Sequence, residues 1–118
     1  MWFGSKNGLW RYDAYELKGW KHKPGDSTSL FNNQVLCIVE DDDGNFLVGT
    51  KNGLDKYIHA SNLFVHFVAS STNEQFTHRV NSFVKGPGGN IFAATYDGLY
   101  WLMPAIIHLK EFIFKIQR

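Results

Sequence analysis

The sequence predicts an all-β chain of four-stranded antiparallel meanders stacked one behind another. Three observations carry this. Gly4-Ser5-Lys6-Asn7-Gly8-Leu9 returns 45 residues later as Gly49-Thr50-Lys51-Asn52-Gly53-Leu54, and after the same interval as Ala94-Thr95-Tyr96-Asp97-Gly98-Leu99. Each copy carries Asn-Gly or Asp-Gly, pairs that close tight hairpins because these residues accept positive φ. The runs between turns are short and rich in β-branched and aromatic residues, as strands are. A fixed period of this size marks a repeat architecture, in which each unit buries its apolar surface against its neighbours.

The first repeat, residues 1–26, begins at Met1 in register with Phe46 and so lacks an opening strand. It keeps Asn7-Gly8-Leu9, Tyr12 (matching Tyr57) and the aromatic Trp20, enough for three strands. The second, residues 27–71, is the most complete, with strands expected at 35–41, 46–50, 54–59 and 63–69. Asp42-Asp43-Gly44-Asn45 separates the first pair, and Lys51-Asn52-Gly53 the second, where Asn-Gly favours a type I′ turn. In the third, residues 72–118, Val80 and Val84 match Val35 and Val39, Gly89-Asn90 matches Gly44-Asn45, and Asp97-Gly98 matches Asn52-Gly53. Phe112 falls where Phe67 predicts it, so register assigns 108–114 to an outer strand. Ile106, Leu109, Ile113 and Ile116 also recur at helical spacing, so 104–118 reads as strand or helix.

Three, four and four strands at this period read as β-propeller blades, an incomplete propeller of nearly three. Trp2, Phe3, Leu47, Val48, Phe92 and Ala93 share second-strand positions and are expected to fill the interfaces between blades. Such blades cannot close a ring. Open faces then expose apolar side chains, and self-association through them is expected.

Composition narrows the function classes. Net charge is +1, from 12 basic and 11 acidic side chains, which gives no electrostatic footprint for nucleic acid or an anionic membrane. A lone cysteine, Cys37, excludes an internal disulfide framework and sits in the apolar run Val35-Leu36-Cys37-Ile38-Val39, where a buried small hydrophobe fits better than a reactive thiol. The first residues show no signal peptide, and no apolar run is long enough for a transmembrane helix.

Asp41-Asp42-Asp43-Gly44-Asn45 lacks the alternating ligand spacing of a calcium loop and reads as a solvated turn. Its counterpart Gly86-Pro87-Gly88-Gly89 has no carboxylate. His22, His59, His66, His78 and His108 show no paired metal spacing, although His59 and His66 lie on adjacent expected strands and could face each other. No nucleophile elbow, P-loop or dinucleotide fingerprint occurs. No catalytic residue, metal or cofactor is therefore expected. Of the 4 Trp, 5 Tyr and 10 Phe, most fall at blade-packing positions. Trp10, Trp20 and Trp101 are not in register with one another and are the candidates for ligand contact.

From Val35 to Tyr57 the chain reads Val-x-x-x-Val-x-Asp-x-Asp-Gly-Asn-Phe-Leu-Val-Gly-Thr-x-Asn-Gly-Leu-x-x-Tyr. This resembles the two-component regulator propeller repeat: a strand leading into Asp-x-x-Gly-Asn, an aromatic-rich strand ending in Gly-Thr, then Asn-Gly-Leu and a Tyr-containing strand. Met1 to Asp13 is similar to the second half of such a repeat. The third repeat departs from it at Ala94, in place of Gly, and at Gly86-Pro87-Gly88, in place of the acidic turn. WD40 repeats fit less well, since Gly-His and Trp-Asp are missing at their offsets.

The resemblance implies a sensory role. Propellers of this family form the periplasmic part of membrane-anchored two-component sensors, where they bind a ligand, often an oligosaccharide, and signal to a cytoplasmic histidine kinase. The chain carries no kinase residues and is expected to be a non-catalytic, ligand-sensing segment of such a propeller. A protein-interaction scaffold is a second class, and a blade fragment of a propeller lyase or hydrolase a third. The residues expected on inner strands, Val35, Cys37, Val39, Val80, Ser82 and Val84, are chemically inert for that last purpose.

Overall fold

In the computed structural model, which describes residues 1–69, 74–102 and 111–115, the repeats fold as three antiparallel meanders. Blade 1 holds β1 (Trp2–Ser5), β2 (Gly8–Tyr12) and β3 (Leu17–Trp20). Blade 2 holds β4 (Val35–Glu40), β5 (Phe46–Thr50), β6 (Gly53–Ile58) and β7 (Leu63–Ala69). Blade 3 holds β8 (Ser82–Lys85), β9 (Ile91–Thr95), β10 (Gly98–Leu102) and β11 (Glu111–Lys115). Strand is thus the outcome at 111–115, while 103–110 and 116–118 lie outside the described residues. Val80, expected in the opening strand of blade 3, precedes β8; it is buried, and its N–H reaches the Thr50 carbonyl at 3.1 Å.

The Asn-Gly turns differ from the type I′ expectation. Gly8, Gly53 and Gly98 have positive φ, whereas Asn7, Asn52 and Asp97 do not. A hydroxyl explains the difference. Thr50 Oγ1 donates to the Gly53 carbonyl (3.0 Å) and accepts the Asn52 N–H (3.3 Å). Ser5 does the same with Gly8 and Asn7, and Thr95 with Gly98 and Asp97. The lock leaves the left-handed conformation to glycine alone, as in a turn closed by a glycine bulge. At the other hairpin of blade 2, Asp41 Oδ1 accepts the N–H groups of Asp43 and Asn45, each at 2.9 Å, and Gly44 takes the positive φ. In blade 3, Asn90 Nδ2 donates to the Pro87 carbonyl beside Gly89.

Two cores separate the blades. Leu9, Leu30, Val35, Val48, Tyr57 and Phe64 are buried between blades 1 and 2, with Trp2, Trp20, Ile38 and Phe46 packed against them. Leu47, Leu54, Phe67, Val80, Ala93, Tyr100 and Ile113 belong to the core between blades 2 and 3. Adjacent residues of β5 point to opposite cores, as strand alternation requires. The same alternation corrects the expectation for Phe3 and Phe92. Phe3 shares its repeat position with Val48, and Phe92 with Leu47, but among the described residues no blade packs against these two positions. Phe3 is 39% exposed and Phe92 only partly buried.

One joint is not foreshadowed by the repeat. β11 pairs with β7 in parallel, aligning Glu111 with Phe67 and Ile113 with Ala69. Blades 2 and 3 therefore share one eight-stranded sheet, in the order β4-β5-β6-β7-β11-β10-β9-β8, folded over their common core. Blade 1 is a separate three-stranded sheet with β3 as an edge.

Candidate functional site

The three expected ligand tryptophans are not brought together. Trp10 lies on the outer face of blade 1, its Nε1 donating to Ser5 Oγ at 3.1 Å and its ring over Gly19. Trp101 lies on blade 3, with Nε1 donating to Asn90 Oδ1 at 3.2 Å. Trp20 packs into the interface between blades 1 and 2. Its ring stacks on Trp2 at 5.1 Å and meets Tyr57 edge-on at 5.2 Å. Phe46 completes the cluster at 4.7 Å from Trp2. Cations cover its rim: the Arg11 guanidinium is 5.6 Å from the Trp2 centroid and 5.8 Å from that of Trp20, and Lys18 Nζ is 5.2 Å from Trp20.

Beside Trp20 a groove of about 290 Å³ opens between the free edge of β3, the segment that follows it, and the start of β7. Lys18, Lys21 and Lys23 line it together with Trp20, Ser29 and Asn62. Asp26 is the one carboxylate of this lining among the described residues, and its Oδ1 accepts both the N–H and the hydroxyl of Thr28. Those two bonds lower its pKa, so it stays ionised. The local fold fixes the wall. Ser29 is buried, accepts the Lys23 N–H at 2.9 Å and donates to the Asp26 carbonyl at 2.8 Å. Phe64 N–H donates to the Thr28 carbonyl, which ties this segment to β7. The groove therefore presents ammonium groups, an indole and neutral polar groups, a set suited to binding.

Below this wall lies a buried polar pair that the sequence reading did not single out. Asp55 is fully buried opposite His66 on the neighbouring strand. Its Oδ1 meets His66 Nδ1 at 2.5 Å, and its Oδ2 accepts the Phe31 N–H at 2.6 Å. His66 thus faces Asp55, and not His59, whose ring lies against Tyr57. Burial disfavours the imidazolium, but the Asp55 carboxylate outweighs it and the backbone at Ser27 adds to the effect, so the His66 pKa rises. Strand parity held a signal here, since Asp55 shares its face with Tyr57 on the side toward blade 1. With both oxygens engaged and no exposed surface, Asp55 holds structure and is closed to a substrate. Cys37 is similarly unreactive, because burial pushes its thiol up to about 11.

Residues 29–52 match the family model of the two component regulator propeller. The matched stretch runs from Ser29, in the groove wall, through β4 and β5 to the second locked turn. No curated protein matches. Among solved structures, the extracellular domain of the one component system BT4673 from B. thetaiotaomicron superposes with a TM-score of 0.64 at 21% identity, over 86% of this chain. A structure of the extracellular domain of the hybrid two component system BT4673 gives 0.50 at 21% identity over 93%. The chain spans 14% and 20% of those two structures. At this identity the likeness establishes the fold, which is that of propeller blades. Among the described residues, no helix is long and apolar enough to cross a membrane.

Proposed function

We propose that this chain is part of the ligand-sensing propeller of a two-component system sensor, placed on the periplasmic side, and that it works by binding an oligosaccharide and not by catalysis. One observation carries the reading. The regulator-propeller match at 29–52 falls on a blade whose turn locks and inter-blade contacts recur in its neighbours, within a fold shared with extracellular domains of this signalling class. The non-catalytic part is supported by the inner strands, where β4 offers Val35, Cys37 and Val39, and β8 offers Ser82 and Val84. Asp55 and His66 are occupied with each other and do not line the groove.

The test is a thermal-shift screen of the chain against a panel of oligosaccharides, with each mixture then assayed for released products. A saturable rise in Tm without product formation is the expected result. Turnover of any saccharide would instead assign the chain to a propeller lyase or hydrolase. Absence of any shift, together with capture of a protein partner, would assign it to a scaffold.

A further inference from the structure

We propose that the groove between β3 and β7 binds an acidic oligosaccharide, with Lys18, Lys21 and Lys23 receiving its carboxylate or sulfate groups. This rests on the sensor reading and names the chemistry of its ligand. The argument is one of local charge. The chain as a whole is nearly neutral, yet Lys18-Gly19-Trp20-Lys21-His22-Lys23 holds three lysines and no acid. All three line one groove, and among the described residues none is within ion-pair distance of a carboxylate, although the charge of Lys23 reaches Asp26 in the same lining and helps to lower its pKa. Lys18 Nζ lies 5.2 Å from the Trp20 centroid and Lys21 Nζ 5.8 Å from that of Trp10. Neither ring neutralises the charge it meets, and an anion in the groove supplies that compensation.

The remaining lining suits a sugar better than a bare ion. Trp20 supplies an apolar surface fixed by its stack on Trp2. Asn62 adds an amide, and β3 is an edge strand with one row of backbone groups unpaired by the sheet. A volume of about 290 Å³ fits one or two sugar rings.

Titration calorimetry on the full chain tests this with an oligogalacturonate, its methyl ester, a sulfated disaccharide with its desulfated form, and inorganic sulfate. The charged sugars are expected to bind about tenfold or more tighter than their neutral counterparts, with affinity falling as salt is raised. The double variant K21Q/K23Q, at exposed positions that leave the core intact, is expected to lose about tenfold in affinity for the charged sugars. Equal binding of charged and neutral forms, or no effect of K21Q/K23Q on the charged sugars, overturns the lysine assignment and leaves the sensor reading standing. Inorganic sulfate binding as tightly as the sulfated sugar also overturns it. No saccharide binding at all overturns both.

Discussion

Gly4 and Gly49 make room for a valine of the following blade. A Cβ on Gly4 would lie 2.3 Å from Val35 Cγ1, and one on Gly49 would lie 2.8 Å from Val80 Cγ1 and 2.4 Å from Cys37 Sγ. The two contacts are one repeat apart on both sides. Ala94 holds the same position on blade 3, where among the described residues no blade packs against that face, so a methyl group is tolerated there. Gly49→Ala is therefore expected to destabilise the fold by about 1–3 kcal/mol in urea titration, whereas Ala94→Gly is expected to cost about 1 kcal/mol or less. The turn locks give a second paired test. Thr50 is fully buried, so Thr50→Val strands the Gly53 carbonyl and Asn52 N–H and is expected to cost about 1–3 kcal/mol. Thr95→Val, in the exposed copy of the lock, is expected to cost clearly less, because water replaces the hydroxyl. Equal costs for the two would contradict the role given to burial.

At the scale of elements, the Asp55–His66 pair fastens the segment joining blades 1 and 2 to β6 and β7. Phe31 N–H bonds to Asp55 and the backbone at Ser27 bonds to His66. The pKa of His66 is raised above 6.5 in the fold, so the native state binds this proton more tightly than the unfolded chain. The stabilisation is complete below 6.5 and is lost as pH rises through the folded value. Burial raises the Asp55 pKa as well, which works in the same direction. Urea midpoints are expected to fall with rising pH in the parent chain and to fall less steeply above pH 6.5 in His66→Gln, where only the Asp55 contribution remains, with amide exchange in residues 21–34 quickening over the same range. An unchanged slope in His66→Gln would remove the pair from the account.

The strands of the middle blade were legible because apolar alternation and turn dipeptides coincide there, and the observed bounds of β4 to β7 differ from expectation by no more than a residue. The sequence did not separate Trp20 from Trp10, since that depends on which face of the blade meets a neighbour. Trp20 entered the interface and the groove lining, while Trp10 stayed on the open side. Neither did it reveal the parallel β7–β11 joint, because a pairing between two outer strands leaves no periodic trace within either. The lysine-lined groove was written in residues 18–23, but only the fold shows that the three lysines share one wall.

For the whole molecule, the repeat makes the two outer faces predictable from the two inner ones. Tyr57, buried to 1% against blade 1, has its counterpart in Tyr12, exposed to 45% on the open face of blade 1. Leu54, fully buried against blade 3, has its counterpart in Leu99, exposed to 38% on the open face of blade 3. Phe3 and Trp10 lie beside the first of these, and Val84 and Trp101 beside the second. The open face of blade 3 thus presents the positions that blade 2 offers forward, and that of blade 1 the positions blade 2 offers backward. The two faces are matched in kind, and we propose that chains associate head to tail through them. Leu99→Lys is expected to weaken that association without unfolding the chain, since it changes an exposed position. Light scattering of the purified chain at micromolar concentration reads out whether these two faces behave as interior blade faces. The expected mass lies above the 13.5 kDa of one chain and falls toward it in Leu99→Lys, whereas a monodisperse 13.5 kDa particle for the parent chain would rule the association out.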